Sequence, residues 1–181
     1  MNNDFNAVMK INAELTYREW NMLDKYMGVH TISKPGYTKL FSKITILNAD
    51  ILYNVNKEII KSITEFRKDY ETTEYNEAYN KALLAHADRD EQGEIIYNPD
   101  KSISVKNEIT ELEADIAALE EKYKDSLEKA KNYEADLNDY LNTHKLVKEL
   151  YVCKDFDDYP ETLPPELVDI LFNIHNHINK E

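Results

Sequence analysis

The sequence predicts a mostly α-helical fold of α+β type: a long antiparallel helical hairpin, coiled-coil-like, with a β-hairpin tip and a small α+β base formed by both termini. Three observations carry this expectation. Residues 9–15 alternate between apolar and polar, the period of a half-buried strand. From about Tyr37 the apolar period changes to three and four, and it runs through two long segments separated by one polar reversal. Only 3 glycines and 5 prolines occur in 181 residues, which favours long uninterrupted helices.

The elements follow in order. In MKINAEL, Met9, Ile11, Ala13 and Leu15 share one face, and Lys10, Asn12 and Glu14 share the other. The strand runs into Thr16-Tyr17-Arg18-Glu19, a capping-box pattern, so a helix is expected over 17–27 with Gly28 as its stop. Ser33, Lys34, Pro35 and Gly36 read as a turn. Leu40, Ile44, Leu47, Ile51, Val55, Ile59, Ile63, Phe66 and Tyr70 then make a single helical stripe. A weaker patch at Glu71-Thr72-Thr73-Glu74 predicts a break or kink, after which Tyr75, Tyr79 and Leu83 continue the stripe.

The return arm carries Ile109, Leu112, Ile116, Leu119, Tyr123, Leu127, Ala130, Tyr133 and Leu137 at steps that approximate a heptad seam. Glu120 with Lys124, and Asp125 with Lys129, have the favourable order for surface pairs four residues apart. Arms of about 35 to 50 residues at about 1.5 Å per residue would make a rod about 50 to 75 Å long. Beyond them, Leu150, Tyr151, Val152 and Cys153 suit a strand that pairs with the first one. Pro164 and Pro165 open a last helix, where missing amides cost nothing, and Leu167, Ile170, Leu171 and Ile174 give it one apolar face. Residues 1–36 and 145–181 would thus form the base, and residues 37–144 the hairpin, as one continuous folding unit.

The tip raises the sharpest question of function. In ADRDEQGEIIYNPDKSISVK, Asp88, Asp90, Gly93 and Ile95 fall where an EF-hand has two ligands, its glycine and its central hydrophobe. Position 5 of such a loop is Gln92, position 12 is Pro99, and strand-like residues stand where a helix should follow. A β-hairpin over 93–105 explains more, with Asn98-Pro99-Asp100-Lys101 as a type I turn and Gly93 ending the first arm. Ile95, Tyr97, Asn98, Pro99 and Asp100 are therefore candidate contact residues at the tip. A second candidate is the acidic loop before the last helix, Asp155, Phe156, Asp157, Asp158 and Tyr159, where carboxylates could mimic phosphates; a solvated loop at a helix N-terminus is the plainer reading.

No residue is assigned a catalytic, cofactor or metal role. His175 and His177 stand two apart, so on a helix they point to different faces, and both are expected at the surface. Cys153, with His144 the nearest histidine in sequence, lies in an apolar run and reads as buried filler. There is no nucleophile elbow, zincin motif or phosphate-cradling glycine loop. The chain is expected to be non-enzymatic.

The formal net charge of −13 argues against direct binding to a nucleic-acid backbone and fits a protein partner with a basic surface. A single cysteine allows no internal disulfide and points to a reducing compartment. No membrane span or secretory signal is evident, so a soluble intracellular protein, or one released by lysis, is expected.

The order of these parts resembles a group of small bacteriophage proteins of unknown function that carry a Lys/Glu-rich helical hairpin. The resemblance rests on MKINAEL, the charged ADRDEQGEII turn, the NEITELEADI return helix and the closing LPPELVDIL. It implies phage origin, with the bacterial host cytoplasm or the virion as the location. The expected role is a virion accessory, neck, tail or assembly component. It would work through contacts with a phage structural protein or with further copies of itself, using the edge of the small sheet. The alternative is an acidic inhibitor of a host defence nuclease.

Overall fold

The computed structural model describes residues 7–31 and 35–178. Ser33 and Lys34 of the expected turn lie outside these residues, while Pro35 and Gly36 do form a turn. The order is β1 (Val8–Thr16), α1 (Tyr17–Met27), a 3-10 turn (Val29–Thr31), α2 (Lys39–Lys68), α3 (Thr73–Ala85), α4 (Ile109–Lys122), α5 (Lys124–Thr143), β2 (Lys145–Cys153), a second 3-10 turn (Phe156–Asp158) and α6 (Pro165–Ile178). The fold is thus mostly helical with one two-stranded antiparallel sheet. Among the described residues, no helix is long and apolar enough to cross a membrane. The chain divides into two compact units, Met1–Glu65 with Asp136–Glu181, and Phe66–Ala135.

The first unit holds the sheet and the main core. β1 pairs with β2 from Val8↔Cys153 to Thr16↔Lys145, and the expected alternation puts Ala13 and Leu15 inside, opposite Lys148 and Leu146. α1 starts at the expected capping box. Thr16 Oγ1 accepts from the Glu19 amide at 3.2 Å, and the Thr16 amide donates to Glu19 Oε2 at 2.8 Å. Such a cap is worth about 1 kcal/mol. The helix ends at Gly28, whose backbone is extended, and a side chain is excluded there because a Cβ would stand 2.4 Å from the Asp24 carbonyl oxygen.

Trp20, Leu23 and Met27 follow the three-and-four spacing into the core, where they meet Phe41, Ile44, Leu52, Val55 and Ile59 of α2 and Leu167 and Leu171 of α6. Each buried side chain of this size contributes about 1.5–3 kcal/mol by transfer from water. Pro165 opens α6 in the first turn, as expected.

The second unit is thinner. Its buried apolar side chains are Ala87 and Leu112. The stripe residues Tyr70, Tyr75, Tyr79, Leu83, Ile116, Leu119, Leu127, Ala130 and Tyr133 are only half-buried, and Ile109 is exposed. Edge-on ring contacts join Tyr75 with Tyr123 at 6.0 Å and Tyr70 with Tyr133 at 5.3 Å. The break expected at 71–74 lies at 69–72, between α2 and α3, with Thr73 and Glu74 already in the first turn of α3. A second break, at Tyr123, separates α4 from α5. Neither glycine nor proline marks that site, so the apolar pattern runs straight through it.

The tip between α3 and α4 departs from a single hairpin. It contains isolated bridges, Arg89↔Ile95 and Tyr97↔Ile103, around two turns of the same construction. In the first, the Gly93 amide donates to the Asp90 carbonyl at 3.0 Å and the Asp90 amide to the Glu94 carbonyl at 2.9 Å. In the second, the Lys101 amide donates to Asn98 at 2.9 Å and the Asn98 amide to Ser102 at 2.8 Å. The fourth residue of each turn is left-handed, Gly93 at φ +84° and Lys101 at φ +70°. Gly93 therefore does not end the first arm. α3 ends at Ala85 with His86 as its cap, and Gly93 serves the first turn.

Candidate functional site

The sheet has two outer edges, and the fold treats them differently. The Lys154 amide donates to the Ala7 carbonyl at 2.9 Å and the Tyr17 amide to the His144 carbonyl at 2.8 Å. These bonds set the parity of the ladder: odd-numbered residues of β1 exchange bonds with β2. Val8, Lys10, Asn12, Glu14 and Thr16 turn their amides and carbonyls outward. On β2 the outward groups belong to Lys145, Val147, Glu149, Tyr151 and Cys153 by the same rule.

The edge of β2 is capped at one end. Asn48, fully buried on α2, accepts from the Tyr151 amide at 2.9 Å and donates to the Tyr151 carbonyl at 2.8 Å. Its side-chain amide stands in for a third strand. The Cys153 amide donates to the Tyr159 hydroxyl at 3.2 Å. Further along, Val147, Lys148 and Glu149 face Ile51, Asn54 and Val55 of α2 across a small groove.

The edge of β1 is left open. Among the described residues, only the Thr16 amide, at its end, is taken up, by Glu19. The outward main-chain groups of Lys10, Asn12 and Glu14 have no hydrogen-bond partner among the described residues. A groove of about 900 Å³ runs along every residue from Lys10 to Thr16, walled by Glu19 and by Asn173, Ile174 and His177 of α6. The three side chains on this strand's outer face are exposed. Lys10 pairs with Glu149 at 2.7 Å, which holds its ammonium above the ordinary lysine value, and Glu14 pairs with Lys145 at 3.4 Å.

Of the tip residues singled out from sequence, Asn98, Pro99 and Asp100 lie in the second turn, Tyr97 flanks it, and Ile95 flanks the first turn in its bridge to Arg89. Tyr97, Pro99 and Asp100 are exposed, and Ile95 and Asn98 are half-buried. Asn98 Nδ2 donates to Ser102 Oγ at 3.0 Å, while Asp100 accepts from the Ser102 hydroxyl at 2.7 Å and its amide at 3.0 Å, which lowers the carboxyl's pKa. The aspartates that suggested calcium serve the chain itself. Buried Asp88 accepts from Ser104 Oγ at 2.7 Å, the Lys106 amide at 2.8 Å and Asn107 Nδ2 at 2.8 Å, led by Ser104 in depressing its pKa. Asp90 accepts from the Gln92 and Glu94 amides, both at 2.9 Å. Among the described residues, no group of three His, Cys, Asp or Glu side chains is placed to hold a metal ion.

The acidic loop lies in the first unit and turns its aromatic residues inward. Phe156 stands 5.6 Å from Phe172, and buried Tyr159 stands 5.9 Å from Phe41, with its hydroxyl pKa raised by burial. Asp155 and Asp157 remain exposed and Asp158 is half-buried.

His175 is buried, which corrects its expected surface position, whereas His177 is exposed on the groove wall. His175 continues the stripe of Leu167 and Leu171 at four-residue steps, so the helix carries it inside. Its Nε2 has no hydrogen-bond partner among the described residues, and burial lowers its pKa. Cys153 is buried, and its thiol is pushed up to about 12, chiefly by burial and then by Asp158 and Asp155. His144 lies beyond the other end of β2, stacked 3.7 Å from the Tyr140 ring. This is the setting of an inert thiol.

Comparison with family models, with characterised proteins and with solved structures finds no match for this chain. The sequence predicts an exposed edge of the small sheet without naming its strand; Lys10, Asn12 and Glu14 as that edge, and Asn48 as the cap of the other, are the residues it leaves unassigned. Both left a signal. A lone partner strand leaves two edges to account for, and Asn48 interrupts an apolar stripe four residues after Ile44.

Proposed function

We propose that this chain works through protein contacts, as a structural or assembly component of a bacteriophage, with the open edge of β1 as its main docking surface. The observation that carries this reading is the contrast between the edges: a buried asparagine caps β2, while Lys10, Asn12 and Glu14 present unpaired main-chain groups in a groove. Exposed strand edges attract further strands, and natural proteins usually block them. An extended segment of a partner would add as a third strand, its main chain bonding to Lys10, Asn12 and Glu14 and alternate side chains reaching Ile174.

The phage setting rests on the resemblance in the order of parts, and it locates the chain in the bacterial host cytoplasm, the virion or both. The non-enzymatic reading is supported by the protonated, buried Cys153. On the same reading the two apolar stripes pair as an antiparallel, coiled-coil-like hairpin, and the tip around Tyr97, Pro99 and Asp100 is its second contact. Direct nucleic-acid or membrane binding forms no part of this function. The acidic inhibitor of a defence nuclease is favoured less, because at about 100° per residue the carboxylates of Glu111, Glu113 and Glu121 point to different sides of α4.

Co-purification from cells producing the virus tests this, with mass spectrometry of the recovered protein and of purified virions. Wild type should retain a virion protein in fixed ratio, and Asn12→Pro should lose it. Equal recovery by Asn12→Pro would remove the β1 edge from the account.

A further inference from the structure

The open edge is complementary to itself. Its outward residues read Lys10, Asn12, Glu14 (positive, neutral, negative). Laid antiparallel on a second copy about a two-fold axis at Asn12, Lys10 faces Glu14 of the second copy, Asn12 faces Asn12, and Glu14 faces Lys10. The parity also matches. The outward-turned residues are the ones that meet, so each of these three pairs can exchange both main-chain bonds, as hydrogen-bonded antiparallel pairs do. On the other face, Ile11 meets Ala13 and Met9 meets Leu15, which continues the apolar side of the sheet across the axis.

The charges already present extend the pattern. Lys10 is paired with Glu149, and Glu14 with Lys145, on the same face of the sheet. Across the axis they would align as Glu149, Lys10, then Glu14 and Lys145 of the second copy, alternating in sign at every step. Opposite charges on facing strands support pairing, and like charges there oppose it. A two-fold axis requires such a patch to be its own complement.

We infer that the partner which occupies the β1 edge is a second copy of this chain, joined β1 to β1 in the register Lys10–Glu14, Asn12–Asn12, to give one four-stranded sheet. This rests on the reading of that edge as a docking surface and names its occupant.

Cysteine pairing under mild oxidation tests the register, with sedimentation equilibrium as the second readout. Hydrogen-bonded partners lie about 5.5 Å apart at Cα, within the range a disulfide spans. Asn12→Cys should therefore give a covalent dimer on its own. Lys10→Cys and Glu14→Cys should each fail alone, because like positions lie about 14 Å apart along the strands. Mixed together, they should cross-link. Native Cys153 is buried and does not compete.

The wild type should show a reversible monomer–dimer equilibrium up to about 100 μM, a range that reads micromolar dissociation constants. Asn12→Pro should remain monomeric, and its proline removes no bond to β2 because the Asn12 amide points outward. A wild type that stays monomeric, or equal cross-linking at all three positions, would overturn the inference. If the wild type is monomeric while Asn12→Pro still loses a virion partner, self-pairing falls and the docking edge stands. If Asn12→Pro also keeps that partner, both fall.

Discussion

The buried amide of Asn48 sits where a third strand would bond to Tyr151, and replacing it removes both bonds at once. Asn48→Ala leaves a buried amide and carbonyl unpaired, at a cost of about 3 kcal/mol. For a chain of this size the melting temperature should fall by about 6–12 °C, as read by calorimetry. Two histidines make opposite pH predictions. His86 bonds Asp115 at 2.9 Å and Glu108 at 2.8 Å, and these bonds raise its pKa above 6.5. The stability it adds is complete below that value and is lost as pH rises through the folded pKa. Burial lowers His175 below 6.5, so its share is complete above that value and is lost as pH falls below it. Thermal unfolding across pH should show both limbs, with His86→Gln flattening the alkaline one and His175→Leu the acid one.

At the scale of elements, the sequence was most legible where local chemistry decides. Alternation marked β1, the Thr16–Glu19 box marked the start of α1, and the proline pair marked α6. It was least legible where long-range packing decides. The stripe through Tyr123 reads as continuous, yet the helix divides there. His175 fits either a wet or a dry face until α6 docks. In the tip, the turn at Asn98–Lys101 was readable, while its twin at Asp90–Gly93 was hidden under the calcium pattern, since aspartate and glycine suit both.

The twin turns predict opposite effects from matched substitutions. Gly93→Ala should cost about 1–2 kcal/mol from its left-handed backbone, since no atom lies within 4 Å of the added Cβ. Lys101→Gly should relieve up to about 1 kcal/mol of the same strain. Amide exchange at Ile96 and Ser104, whose bonds tie the tip together, reads both.

At the scale of the molecule, the apolar content is spent unevenly. The first unit has a full core built from β1, β2, α1, α2 and α6, whereas the second relies on half-buried stripes and ring contacts. The candidate site belongs to the better-packed unit. Its parts were half legible: the strand and its polar face were, but which edge stayed open depends on Asn48, a residue 36 positions beyond Asn12 in the chain.

Residue-resolved amide exchange along β1 tests the open edge most directly. In the dilute chain, Met9, Ile11, Ala13 and Leu15 should be protected by β2, and Lys10, Asn12 and Glu14 should exchange freely, then gain protection as association proceeds. Protection of Lys10, Asn12 and Glu14 in the dilute chain, or no gain on association, would contradict the account.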